Sequence, residues 1–234
     1  MPALRVDVWS DIACPWCYVG KRRLEGALER MPHRKSVQVV WRAFELNPSA
    51  PRVIENTVSY AERLARKYET SVAQADGMIR RMTDIAATCG LEFRFDRIRP
   101  GNTFDAHRLL HLAADHGKQG KLKERLLSAY LTEGAAIGDP ETLLRLACDV
   151  GIDADMAQGA LSTDAYATEV RADERAAHEL GVQGVPFFVI GDRYAVAGAQ
   201  SEDVLLEVLV RAWNETAVGN SVADGAVCGP QGCA

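Results

Sequence analysis

The sequence lacks a surplus of positive charge: 27 Lys and Arg stand against 32 Asp and Glu, for a formal net charge of −5. That balance offers no electrostatic footprint for nucleic acid or for an anionic membrane surface. Also missing is an apolar run of the roughly 20 residues needed to span a bilayer. The opening residues, Met1-Pro2-Ala3-Leu4-Arg5-Val6-Asp7, have neither a basic n-region nor an apolar segment followed by small residues. A cytoplasmic location is therefore expected, with no membrane and no nucleic acid as partner. No internal repeat is evident. What is present is a chain of 234 residues, 47% of them hydrophobic, enough for a sizeable core without disulfide stapling.

Cysteine usage is the first positive signal. In a reducing compartment, closely spaced cysteines are more often catalytic or metal-binding than structural. Four of the six cysteines form two short pairs, Cys14/Cys17 and Cys228/Cys233. Cys148 shares an apolar helical face with Leu144 and Ala147, which predicts a buried and inert thiol. Cys89, beside the helix-ending Gly90, is read the same way.

The pattern along the chain sets these pairs in context. Leu4–Trp9 alternates and is rich in β-formers, so it reads as a strand. The stretch Ser10-Asp11-Ile12-Ala13-Cys14-Pro15-Trp16-Cys17 follows, and then a helical pattern to about Met31. A second strand is expected at Val37–Phe44, ended by Asn47-Pro48. From about Thr57 to Gly181 one helix follows another. Ala106, Leu109, Leu110 and Ala113 make one apolar stripe, and Leu122, Leu126, Leu127 and Tyr130 make a second. Asp139-Pro140 reads as an N-cap with proline at the first helical position. Strand character returns at Phe187–Ile190 and Tyr194–Val196, and a last helix is expected from Ser201 to about Thr216. Without the helical block, a βαβ unit and a ββα unit remain. The expected division is therefore 1–55 and 182–217 as two parts of one α/β core, 56–181 as an inserted all-helical domain, and 218–234 as a mobile tail.

Cys14 falls between a strand end and a helix start, where unpaired N–H groups and the positive end of the helix dipole face its sulfur. The dipole alone supplies at most ~2 kcal/mol, so a strongly acidic thiol also needs hydrogen bonds to the sulfur, with Cys17 a natural donor. Cys14 is expected to be the exposed nucleophile that attacks a disulfide, and Cys17 the buried partner that resolves the mixed disulfide. The same spacing is also half of a zinc site. The missing second pair of ligands nearby, together with the strand–helix setting, favours redox chemistry. Late in the chain, Gly184-Val185-Pro186-Phe187 leads into a strand, where a proline belongs at a start or a bend.

These segments together carry a resemblance. Ser10 through Gly20, Phe44-Glu45-Leu46-Asn47-Pro48, Asn102 through Leu109, Gly181 through Phe188 and Gly198-Ala199-Gln200 resemble the DsbA family of thioredoxin-fold oxidoreductases, most closely its FrnE-like branch. The resemblance covers about residues 4 to 215. It implies a thioredoxin fold with a large helical insertion and dithiol–disulfide exchange with peptide or protein thiols. Glutathione or a thioredoxin-like protein is the implied reductant, and no cofactor or metal is called for. It also implies that Val185-Pro186 is a cis peptide facing the dithiol and that Val185, Pro186 and Trp16 meet the substrate. The glutathione-dependent chromene-carboxylate isomerases and kappa-class transferases share the insertion but carry Ser or Thr where this chain has Cys14. That glutathione-dependent reading is the runner-up, and a soft-metal or client-binding protein is the third.

The tail pair Cys228/Cys233 closes a loop of turn-forming residues. An extended segment from Ala217 reaches up to ~35 Å, so a second redox couple exchanging with Cys14/Cys17 is expected to reach the first. Asp7 and Glu45 are expected near the dithiol as proton shuttles for Cys17, and Asp11 as a turn former. His107 and His111 have the spacing of a metal pair but no third ligand motif; His107 is expected to shape the cleft.

Overall fold

Residue alternation sets the sheet. In β1 (Leu4–Ser10), Leu4, Val6 and Val8 enter one apolar core while Trp9 enters another on the opposite face. β2 (Val37–Ala43) pairs with β1 in parallel, Leu4 opposite Val37 and Ser10 opposite Ala43. β3 (Phe187–Ile190) lies antiparallel on the other side of β1, with Trp9 opposite Phe187. β4 (Tyr194–Ala197) closes the order β2-β1-β3-β4. The parallel pair needs a crossover, and α1 (Pro15–Glu29) provides it. α9 (Glu202–Ala223) packs beside α1, and Leu205, Leu209 and Ala212 meet Val6, Val8, Phe188 and Ile190 in one core. This is the strand order and polarity expected of a thioredoxin core. The computed structural model describes residues 4–52 and 58–223.

Among the described residues, seven α-helices come between β2 and β3: α2 (Tyr60–Lys67), α3 (Val72–Thr88), α4 (Phe104–Asp115), α5 (Gln119–Ser128), α6 (Pro140–Asp149), α7 (Ala154–Ser162) and α8 (Ala167–Glu179). A π-helical turn, Ala129–Glu133, extends α5. Their core of Leu109, Leu122, Leu126, Leu127, Leu143 and Leu146 also takes in Ile12, Tyr18 and Val19. The start of α1 is therefore packed into the helical block as well as onto the sheet. At the edge of that core, the Tyr18 hydroxyl, Lys21 and Arg22 of α1 all engage Glu124 of α5.

α8 is fastened to the sheet by one buried carboxylate. Asp173 accepts hydrogen bonds from the Ala43 N–H at 2.9 Å and from Arg42 at 2.9 Å, and Nε2 of His111 lies 3.0 Å away. Every oxygen has a partner, as a buried charge requires.

Three local expectations change. α9 continues past Thr216 to Ala223, so the expected tail begins as helix, while Cys228 and Cys233 lie outside the described residues. Cys148 is exposed rather than buried. The inward face of α6 is Leu143, Leu146 and Ala147, and one residue beyond Ala147 turns about 100° away from it. Cys89 is half-buried. Among the described residues, no helix is long and apolar enough to cross a membrane.

Candidate active site

The starts of α2, α3, α6 and α7 are closed by the side-chain oxygen of the N-cap residue. Ser59 caps α2, Ser71 caps α3, Asp139 caps α6 and Asp153 caps α7, each accepting from a first-turn N–H. α1 is different: its N-cap residue is Cys14, with Pro15 at the first position and no acidic residue in the first turn. The open N–H groups are left for sulfur.

The two thiols then diverge. A hydrogen bond from the Cys17 side chain, helped by the N–H groups of Cys17 and Trp16, holds the Cys14 thiol below its ordinary value of 9.0, against burial and the charge of Asp11. Burial pushes Cys17 well above that value, and its hydrogen bond to Cys14 and the charge there push it further. Sγ of Cys14 also lies 3.5 Å from the Val185 carbonyl oxygen. Cys17 is fully buried and Cys14 is only 5% exposed. The order of exposure is as expected from the sequence, but Cys14 is recessed at the base of a cleft rather than standing on the surface.

That cleft, about 640 Å³, runs between the dithiol and the α2–α3 pair. Val185, Gly184 and Gln183 form one edge, Trp16 another, and Tyr60, Met82, Ile85 and Phe95 line the far wall. Trp16 is 42% exposed at the mouth. The Val185–Pro186 peptide bond is cis. Pro186 itself packs against α1: a Cβ built on Gly20 would stand 2.8 Å from Pro186 Cγ, so only glycine allows this approach.

Behind the sulfurs lies a buried polar group that the sequence did not announce. Asp11 is 1% exposed and accepts from the Leu46 N–H at 2.8 Å and the Ala13 N–H at 3.3 Å. Nε2 of His107 stands 3.5 Å from it. Burial pushes the Asp11 carboxyl up, but His107 and the Leu46 N–H together hold it below its usual range. Lys123 of α5 is fully buried, with Nζ 3.4 Å from the Ser10 carbonyl oxygen and 5.8 Å from the centre of the Trp41 ring. Burial lowers this ammonium to about 8, against the opposing pull of Cys17, Asp11 and Cys14. Ser10 Oγ and His107 Nε2 are buried without a hydrogen-bond partner among the described residues.

The two carboxylates expected as proton shuttles each have other partners. Asp7 is taken up by Arg42 at 2.6 Å and by Arg5 at 2.7 Å. It lies three residues back from Ser10, about 10 Å along the strand at roughly 3.3 Å per residue. Glu45 is buried against Arg171 and Asn102, and burial raises it to about 7. The carboxylate whose charge acts on Cys14 is Asp11, and a backbone hydrogen bond from the same residue works to hold Cys17 down. His107 and His111 turn to different carboxylates, Asp11 and Asp173. One clue to Lys123 was available: it precedes Leu127 by four residues and so falls on the apolar stripe of α5.

With this geometry established, the comparisons with known proteins bear on it directly. Residues 5–210 match the DSBA-like thioredoxin domain. The chain belongs to that family. It is a disulfide oxidoreductase of the DsbA-like class. A probable DsbA oxidoreductase from Streptomyces coelicolor is similar over 99% of this chain and 98% of its own, at 41% identity and a TM-score of 0.85. The uncharacterized protein YwbO of Bacillus subtilis is 30% identical over 203 residues, 86% of this chain and 93% of that relative. The cytosolic disulfide reductase DsbM of Pseudomonas aeruginosa, in a structure with glutathione, shares the fold at 15% identity and a TM-score of 0.60, over 93% of this chain and 99% of its own. In this DsbA-like chain the dithiol, the cis proline and the open cleft all fall within the matched region.

Proposed function

We propose that this DsbA-like chain exchanges disulfides with cysteine-containing peptides or proteins, with Cys14 as nucleophile and Cys17 as resolving thiol. The supporting observation is the divergence of the two sulfurs: the one lining the cleft is lowered, while the one behind it is buried and raised. The Cys14 thiolate attacks one sulfur of a substrate disulfide, forms a mixed disulfide and expels the other sulfur as a thiolate. Cys17 then gives up its proton and attacks Sγ of Cys14. The Cys14–Cys17 disulfide forms, the second substrate thiolate leaves, and two electrons have passed to the substrate. The reverse sequence oxidises a dithiol. Lys123 faces the charge that develops on Cys17, and the substrate thiolate expelled in the first step is available to take the proton.

Several finer assignments belong to the same proposal. Val185 and Trp16 border the incoming peptide and Pro186 fixes that edge against Gly20. The core parts 1–55 and 182–217 hold the dithiol, while 56–181 supplies the opposite wall. The chain works in the cytoplasm as a FrnE-like member, with glutathione or a thioredoxin-like protein restoring its redox state. Cys228/Cys233 act as a second couple.

The test is trapping. With a peptide disulfide, Cys17→Ser is expected to stall as the Cys14 mixed disulfide, seen as an added peptide mass, and Cys14→Ser to be inactive. A Cys14→Ser variant with wild-type turnover refutes the proposal. For the tail couple, Cys228→Ser with Cys233→Ser is expected to shift the equilibrium potential of the first pair; an unchanged potential and turnover removes it.

A further inference from the structure

The charge on the wall opposite Cys14 runs against that of the whole molecule. The chain carries more acids than bases, 32 against 27, yet every charged residue lining the cleft is a cation: Arg63, Lys67 and Arg81. Among the described residues, no carboxylate lines it. Lys67 and Arg81 are exposed, so their charges face solvent and any occupant. Arg63 is held in place, donating to the Val58 carbonyl oxygen at 2.6 Å and lying 5.6 Å from the Tyr60 ring centre. Lys67 sits 5.8 Å from the ring centre of Tyr68.

Apart from Gln183, the rest of the lining is largely apolar or aromatic, and part of it is uncovered. Trp16, Leu46 and Tyr68 are 42%, 39% and 54% exposed around the mouth. Met78, Ile79 and Ile85 continue the surface inward along α3. Exposed apolar surface rimmed by one sign of charge marks a recognition site. The floor of this one contains the sulfur lowered for attack.

From this juxtaposition we propose that the cleft selects acidic polypeptide segments, in which the reacting cysteine has an apolar neighbour and carboxylates further along. The inference rests on Cys14 being the nucleophile and adds the class of substrate it meets. The apolar neighbour enters between Tyr60 and the α3 side chains, while the exposed Lys67 and Arg81 meet the carboxylates. An arrangement of exposed charges gives moderate discrimination, about tenfold for Lys67 and Arg81 together, and it weakens as salt screens it.

The experiment compares three peptide disulfides of identical apolar sequence around the cysteine, flanked by Glu, Gln or Lys. Wild-type kcat/KM is expected to rank Glu over Gln over Lys, with about tenfold between the extremes at low salt and convergence at high salt. The paired substitution Lys67→Glu with Arg81→Glu is expected to invert the ranking, and Lys67→Gln with Arg81→Gln to flatten it. Both sites are exposed, and the readout is a ratio within each variant, so a change in overall turnover does not disturb it. Equal turnover of all three peptides by the wild type overturns the inference and leaves the dithiol chemistry standing. Absence of turnover with every peptide overturns the proposed function instead. Oxidised glutathione reacting faster than the Glu peptide reassigns the cleft to a small anionic disulfide and overturns the polypeptide assignment.

Discussion

Two buried aspartates, Asp173 and Asp11, show how one chemical group serves two ends. Asp173 is saturated: a backbone N–H, a guanidinium and an imidazole surround it within 3.0 Å, and it fastens α8 to the sheet. Asp11 takes one good bond from Leu46, a long one from Ala13, and a histidine that stops at 3.5 Å. Around it lie a lysine with a single 3.4 Å bond and two polar atoms with none. A filled coordination sphere fixes a buried charge in one arrangement, and a looser one leaves that charge to act on its neighbours. The saturated carboxylate therefore holds the fold, while the unsaturated one stands beside the sulfurs.

Substitutions can break that contrast, and the largest effect is expected at the saturated site. Asp173→Asn should cost about 3 kcal/mol, because the buried charge shared by the Ala43 N–H, Arg42 and His111 is lost; a fall in the denaturant midpoint at unchanged slope measures it. Burial pushes the Asp173 carboxyl up, but His111, the Ala43 N–H and Arg42 hold it lower than its ordinary 3.8. The associated stability is complete above that value and is lost as the pH falls below it. The variant should therefore lose the part of the acid-unfolding limb that Asp173 supplies, and an unaltered limb would contradict the assignment. At the unsaturated site, Lys123→Met should act on rate, slowing resolution of the mixed disulfide about a hundredfold. Quenched samples should accumulate the mixed species, and clearance at the wild-type rate would erase the distinction between the two sites.

Smaller effects sharpen the picture. Gly20→Ala drives a methyl into Pro186 and should destabilise by about 1–3 kcal/mol, read as a lower melting temperature. Smallest are two opposed shifts in the pH dependence of Cys14 alkylation, whose wild-type midpoint should lie below 9.0. Cys17→Ala removes the main hydrogen bond to the sulfur and should move the midpoint up. Asp11→Asn removes a neighbouring negative charge and should move it down. Shifts of the same sign in both would show that the two influences are misassigned.

Much of the core could be read from sequence because its signals are local. β-formers in alternation gave β1, and the Cys-Pro-x-Cys stretch gave a helix with proline at its first position. Gly-Val-Pro-Phe gave the bend before β3. Asp139-Pro140 likewise marked a helix start, with the Asp139 side chain accepting from the Thr142 N–H. The polar group behind the dithiol was not legible, because it is assembled from β1, α4 and α5, far apart in the chain. Asp11 reads as a turn former, and its second role exists only once Lys123 arrives from more than 100 residues away. Asp7 was misplaced for the converse reason: alternation tells which face a strand residue takes, but not which neighbour on the next strand claims it. Cys148 shows the limit of helical periodicity, where a single residue's rotation separates the buried face from solvent.

Lys123 reaches the sulfurs from the inserted segment, not from the sheet that bears them. A shortened protein keeping only β1, α1, β2, β3, β4 and α9 would retain both thiols and the cis proline. It would lose both the lysine and the histidine that face Asp11. Miniaturising this oxidoreductase to its smallest recognisable scaffold would thus discard part of its chemistry along with the bulk.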